Sequence, residues 1–369
     1  MNTTLVIDGN WLLMSRMFAV KPKFNIDNSI EEKENGVLEL EDLMCRSINL
    51  VINRFDGIID NIIIVSDGGS WRKEAKKPEW FEEEYKGNRI KDTETDWKYV
   101  YKALEDIICQ AEKLGITSCR EMGIEGDDWV FHWSRYLNNK GINCVIWSSD
   151  ADLKQLVQVK NGAFTAWLNE SQKGGLPGLF LPSSLDNSGI SELEMFMQID
   201  SSNIQTEPLC RKVNAVNYIN PADIAETKII CGDAGDNIKP VFQTEKNGRK
   251  LRITEKEWNI IKENLEINDL NTFFKKKEQI CQNIITNSKY SKYIKNKSHI
   301  YDMFEYNRTL VLLDSSVIPQ EYQKKMESVE YKKYDLSYIK SNYKILMSKK
   351  PQETSIEDIF ESISILNDF

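Results

Sequence analysis

At residues 61–67 the chain reads NIIIVSD, four β-branched residues in a row closed by serine and aspartate. A run this short, with no apolar–polar alternation, fits a strand covered on both faces, as in a parallel sheet. Two further stretches have the same character, TTLVID at 3–8 and NCVIWSS at 143–149. Helical patterns lie between them. Residues 36–56 place Leu38, Leu40, Leu43, Ile48, Val51 and Ile52 at mostly helical intervals, and 97–114 set Leu104, Ile107, Ile108 and Ala111 on one face before Gly115. A short strand is expected near 117–122 and a helix over 126–139, ended by Gly141. The alternation predicts an α/β fold: a parallel sheet with helices on both faces.

Composition narrows the function classes. Of 369 residues, 41% are hydrophobic and 28% charged, and no apolar run approaches the roughly 20 residues of a membrane helix. The segment MNTTLVIDGN passes straight into a strand, so a cytosolic location is expected. Seven scattered cysteines without a CxxC spacing argue against a disulfide framework and a structural zinc site. His132 and His299 stand outside any motif and are expected to be structural. The net charge of −9 is not that of a general nucleic-acid binder. It hides segregation, because basic residues crowd 72–91 (seven of them), 239–256 and 275–297. Basic walls around an acidic floor would fit.

Ligands of open α/β sheets bind beyond the carboxyl ends of the strands, where this chain repeatedly places aspartate. Asp8, Asp67 and Asp150 each follow a strand-like run. Each could simply cap a helix, but three together, with more acids close by, suggest a shared cation. GIEGDDWVF supplies Glu125, Asp127 and Asp128, SSDADLKQL supplies Asp150 and Asp152, and GDAGDN supplies Asp233 and Asp236. Carboxylates without His or Cys select hard cations such as Mg²⁺ or Mn²⁺. An EF-hand is excluded, because 233–244 (DAGDNIKPVFQT) lacks the closing glutamate. Two ions roughly 3.5–4 Å apart would serve both the attacking and the leaving oxygen of a phosphodiester.

The segments VIDGN, SDGGSWRKE with EYKGNR, IEGDDWV, WSSDADLKQL and ETKIICGDAGDN resemble, in order, those of the 5′-nuclease (flap endonuclease, PIN-like) family, most closely its phage ribonuclease H branch. The resemblance implies a PIN-like 5′-nuclease core with a mainly α-helical C-terminal region. It implies a first metal site and its water network from Asp8, Asp67, Glu125, Asp127 and Asp128, a second site from Asp150, Asp152, Asp233 and Asp236, and two Mg²⁺ ions that Mn²⁺ can replace. Lys86 and Arg89 would steer the scissile phosphate, with Asp127 between the two sites and Arg72 as a helper. It also implies 5′-to-3′ exonuclease and flap endonuclease action by a monomer on 5′ ends of DNA and RNA–DNA hybrids, and removal of lagging-strand primers in phage replication.

Tyr85 could stack on a terminal base or pack beneath the arch, a cationic helix expected within about 70–95, where Trp71, Trp80 and Phe81 lie among Arg72, Lys73, Lys76 and Lys77. After Asp236 most relatives carry a glycine-rich hairpin; here the stretch has only Gly248, and Lys239, Arg249 and Lys250 could contact phosphates through side chains or lie in a solvated loop. The expected organisation is a core at 1–160, an insertion at 161–215 forming a small β-rich surface flap, a helical region at 216–350 with a helix-turn-helix-like metal and duplex-binding segment, and a tail at 351–369. The tail's Ile356, Ile359, Phe360, Ile363 and Leu366 have helical spacing, which suits packing on the domain or docking to a sliding clamp or single-strand binding protein. Two other readings share the acids: a PIN-type single-strand ribonuclease and a non-catalytic DNA-junction binder.

Overall fold

The computed structural model describes residues 2–89, 92–170, 177–183, 213, 215–246 and 248–348. The 351–369 tail, with its docking expectation, lies outside them.

The runs read as strands form the centre of one sheet. β1 (Thr3–Asp8) pairs in parallel with β2 (Asn61–Val65) on one side and β4 (Asn143–Trp147) on the other, and β3 (Thr117–Cys119) extends the β2 edge. Every residue of these strands is buried. Side chains alternate between faces. Leu5, Ile7, Ile62 and Ile64 enter one core with α1 (Gly9–Val20), α2 (Ile30–Arg54) and α3 (Trp97–Lys113), whereas Val6, Ile63, Cys144 and Ile146 enter another with α4 (Gly126–Asn139). β1 sits where the order turns from β2 to β4, the switch point at which such sheets open a crevice at their carboxyl end.

In the described part of 161–215, the stretch expected as a β-rich surface flap, the strands join the central sheet. β6 (Ala163–Asn169) joins β4 in parallel, β7 (Gly178–Pro182) joins β6 antiparallel, and β8 (Ala215–Ile219) joins β7. Phe164, Ala166, Leu168, Leu179 and Leu181 are core residues, so this stretch widens the sheet. β5 (Gln158–Lys160) pairs with β6.

A second apolar centre forms from α5 (Pro221–Cys231), α6 (Glu255–Asn264), α7 (Leu270–Lys275), α8 (Lys277–Thr286) and α9 (Ser298–Val311), around Ile229, Trp258, Phe273, Ile284 and Phe304. The glycine-poor stretch after Asp236 leads into an antiparallel hairpin, β9 (Gln243–Lys246) with β10 (Arg249–Arg252). Beyond α9 the chain returns to the sheet. Leu313, Ile318 and Met326, the last on α10 (Gln320–Glu327), pack on the α4 side; Leu336, Ile339 of α11 (Ser337–Ser341) and Leu346 pack on the opposite side.

The cationic helix expected in the arch is also corrected. The described residues of 70–95 form one 3-10 turn, Trp71–Glu74, and otherwise irregular chain. This strap is pinned to the helical region. The Lys86 amide donates to the Asp236 carbonyl at 2.8 Å, Asn88 donates to the Ala234 carbonyl at 2.8 Å, and Asn237 returns a bond to the Glu84 carbonyl at 2.9 Å.

Candidate metal-dependent active site

Each acid is set by the element it begins or ends. Asp8 closes β1 and caps α1, its Oδ1 accepting from the Trp11 amide at 3.0 Å and its Oδ2 from the Ser148 hydroxyl at 2.7 Å. Burial pushes its carboxyl up to about 7 against those two hydrogen bonds, and the charges of Asp67 and Asp150 add to the rise. Asp67, two residues beyond β2, accepts from the Gly126 amide at 2.5 Å and from Asn10 at 2.9 Å. Enclosure by its neighbours raises its carboxyl, opposed chiefly by that Gly126 bond. Asp150 caps the 3-10 turn at 151–156 by accepting from the Asp152 amide at 2.9 Å. Asp127, half-buried in the first turn of α4, is held well above the usual carboxylate range by burial and then by Asp150, Asp8, Glu125 and Asp67. Asp127 feels the charges of Asp8, Asp67 and Asp150, which lie at or just beyond the carboxyl ends of β1, β2 and β4.

A tighter group adjoins these acids. Asp152, Asp233 and Asp236 each offer an oxygen, all within 4.8 Å of one another. Asp233 and Asp236 sit in the turn after α5, which begins at Gly232 with φ +76°; a Cβ there would lie 2.4 Å from the Ile238 oxygen, so the turn requires glycine. Asp233 and Ile238 close it with two amide-to-carbonyl bonds of 2.8 Å. Cationic side chains already touch these acids. Lys228 pairs with Asp152 and Asp233, Arg89 with Asp236 at 2.7 Å, and Lys86 with Glu125 at 2.7 Å. Burial raises the Asp152 carboxyl to about 6 even beside Lys228. The Lys86 backbone lies in the left-handed region at φ 57°, a conformation that its turn onto Asp236 imposes on a non-glycine residue.

Residues 3–174 match the family model of the 5′-3′ exonuclease N-terminal, resolvase-like domain. This part of the chain is similar to that domain. The larger fold is similar to solved structures of a bacteriophage T5 protein. One, co-crystallised with metal ions, is 16% identical with a TM-score of 0.53, over 93% of this chain and 99% of that one. A second, a variant of the T5 flap endonuclease in a pseudo-enzyme-product complex with DNA and metal ions, is 16% identical with a TM-score of 0.52, over 92% and 100%. A third, the T5 5′-exonuclease with bound zinc, is 16% identical with a TM-score of 0.51, over 89% and 99%. At these identities the likeness is one of fold. No curated protein matches the chain in sequence.

Two assignments within the exonuclease domain are corrected by burial. Asp128 is fully buried and accepts from Arg72 Nη2 at 2.8 Å, Arg72 Nη1 at 3.1 Å and Trp71 Nε1 at 2.9 Å. Its oxygens are spent inside the protein, which removes it from the metal ligands. Arg72, equally enclosed, also holds Glu125 at 2.6 Å, so it positions the start of α4 and does not face nucleic acid. Trp71 is buried beside it.

Tyr85 packs in the second apolar centre, with its hydroxyl 3.4 Å from Asp236, and its ring is not presented for stacking. Trp80 stacks on His299 with ring centres 3.8 Å apart, and Phe81 meets Tyr306 edge-on. Lys239 pairs with Glu83 at 2.5 Å and bonds Asn237, whereas Arg249 and Lys250 are exposed on β10. His132 lies in an aromatic group with Trp133 and Tyr136, and burial lowers its pKa to about 4.

Three site residues escaped the sequence reading. Asn10 orients Asp67, Ser148 holds Asp8, and Lys228 bridges the second group. All three stood inside quoted motifs, VIDGN, WSSDADLKQL and ETKIICGDAGDN, where the acids alone drew notice.

Proposed function

We propose that the chain is a divalent-metal-dependent phosphodiester hydrolase, a 5′-to-3′ exonuclease and flap endonuclease that acts at 5′ ends of DNA and RNA–DNA duplexes and removes RNA primers in phage replication. The observation that carries this is the gathering of carboxylates from β1, β2, α4, β4 and the turn after α5 beneath a strap that presents Lys86 and Arg89. The donor set fits the metal. It is all carboxylate, as hard cations prefer, and three of its oxygens lie within 4.8 Å of one another. Asp8, Asp67 and Asp127, with Glu125 nearby, would hold one ion, and Asp150, Asp152, Asp233 and Asp236 the other. When bound, a pair of Mg²⁺ or Mn²⁺ ions stabilises charge on the attacking and leaving oxygens of a phosphodiester.

The chain's own residues supply the rest. Lys86 and Arg89, on one turn of the strap and paired with Glu125 and Asp236 in the free protein, would turn to non-bridging phosphate oxygens and offset the repulsion between DNA and the acids. Ser148, Asn10 and the Gly126 amide fix the carboxylates of Asp8 and Asp67, which limits reorganisation during reaction. Arg72 holds Glu125 in place.

Mg²⁺-dependent digestion of end-labelled RNA–DNA hybrid, nicked duplex and 5′-flap substrates, with product lengths and end groups read, tests the reading. Short 5′-phosphorylated products from accessible 5′ ends are expected, with no cutting of closed circles. Asp150→Asn should lower cleavage by at least about a thousandfold, roughly 4 kcal/mol of transition-state stabilisation, and leave substrate binding nearly intact. Wild-type turnover in that variant would refute the site.

A further inference from the structure

Lys228 stands on α5 with its side chain 24% exposed, and its ammonium pairs with Asp152 and Asp233 together. Those two carboxylates, with Asp236, are the group whose oxygens come within 4.8 Å of one another. The lysine is therefore seated against the ligands themselves. The remaining capacity is also partly engaged: the Gly235 amide holds Asp233 Oδ1 at 2.8 Å, and Arg89 holds Asp236 Oδ1 at 2.7 Å.

We propose that Lys228 is a resident cation of the second site, neutralising Asp152 and Asp233 in the metal-free protein and yielding its place when a divalent ion binds, so that it sets the divalent-ion affinity there. The inference rests on the metal-dependent reading above. Three carboxylates this close repel without a cation, and the ammonium relieves that repulsion during folding, before any ion is bound. A divalent ion bound to the same oxygens, at roughly 2.0–2.1 Å, sets two positive charges against the ammonium, and both cannot keep full contact. Lysine suits an occupant that must leave. Its flexible stem lets the charge withdraw without moving the helix, whereas an arginine fork would hold the carboxylates through paired bonds. Partial exposure gives the ammonium a path to water.

The test is a calorimetric Mn²⁺ titration of the full chain without substrate, using wild type, Lys228→Met, Lys228→Arg, Lys239→Met and Asp233→Asn. Removing the competitor should tighten Mn²⁺ binding in Lys228→Met by about tenfold or more, in the range by which neighbours of metal ligands alter affinity. Lys228→Arg should bind no tighter than wild type. Lys239→Met removes an equal charge three residues beyond Asp236 and should change affinity by less than about threefold, since a charge not in contact acts through screened water. Unchanged or weaker binding in Lys228→Met, or equal tightening in Lys239→Met, overturns the proposal. If Mn²⁺ binding to wild type is indifferent to Asp233→Asn, the second metal site itself falls, and the proposal with it. A measurement on wild type alone covers the case in which Lys228→Met does not fold. Amine acylation of Lys228, read by peptide mass spectrometry, should rise several-fold when Mn²⁺ is added, and a rate that does not rise overturns the displacement.

Discussion

Arg72 carries a full charge to a position where 2% of its side chain is exposed, facing Asp128 at 0% and Glu125 at 9%. Replacing it with methionine keeps much of the stem and strands two buried anions. Breaking such a pair from one side costs about 3–5 kcal/mol. The Arg72→Met stability from urea unfolding should fall by that amount, and that of Arg72→Lys by less, since lysine keeps the charge but not the fork. Stability equal to wild type would mean that water compensates the acids. Asp8 makes a pH prediction. Its carboxyl keeps a proton in the folded state up to about 7, whereas the unfolded chain releases it near 3.8. Rising pH therefore favours the unfolded chain across that window: the contribution is complete below about 4 and lost by about 7. In chelator, the wild-type melting temperature should decline relative to Asp8→Asn between these values, and divalent ions, which bind the ionised carboxylates, should reverse the decline. Parallel curves would reject it. The acids at strand ends were legible in the sequence because their position is local, and Arg72 was not. A buried arginine and a solvent-facing one are spelled alike within a run that also holds Lys73, Lys76 and Lys77, and only Asp128 across the fold separates them.

Elements were legible where one periodicity dominated. The apolar runs of β1, β2 and β4 and the stripes of α2, α3 and α4 appear close to their expected bounds. Helix α1 was missed. GNWLLMSRMFAV buries Leu12, Leu13, Met17 and Val20 beside Trp11 and Met14, which also pack on the core, and so lacks a clear polar face. The β character of the stretch holding β6 to β8 was expected, but its place in the sheet was not, because the sheet partners are distant in sequence. The strap was misjudged because its form comes from what it packs on. Trp80 Nε1 donates to Asp302 at 3.1 Å while its ring lies on His299. Trp80→Ala removes both holds close to Lys76 and Lys77. Local opening governs access to protease, so limited trypsin cleavage at these lysines should accelerate several-fold in the variant. An unchanged rate would place the decisive anchor at Tyr85 and Lys86.

At the scale of the whole molecule, the chain does not divide where its sequence changes character. A core at 1–160 followed by a helical region suggests that the first could stand alone, yet Leu313, Ile318, Met326, Leu336, Ile339 and Leu346 are all buried against the sheet or its helices, three on each side. Polar ties reinforce the return. Asn61 donates to the Lys332 carbonyl at 2.9 Å, the Lys332 amide donates to Thr117 at 2.8 Å, and Thr4 shares a 2.9 Å bond with the Tyr331 hydroxyl. Burying a large apolar side chain contributes about 1.5–3 kcal/mol, so six of them rival the about 5–15 kcal/mol by which a domain is stable. A chain stopped after Leu312 keeps every candidate metal ligand and the strap, but uncovers both sides of the sheet that presents them. It should therefore lose its cooperative melting transition and its Mn²⁺ binding together, although no ligand has been removed. A truncated protein that melts like the full chain would show that the returning segment only covers a core already stable without it.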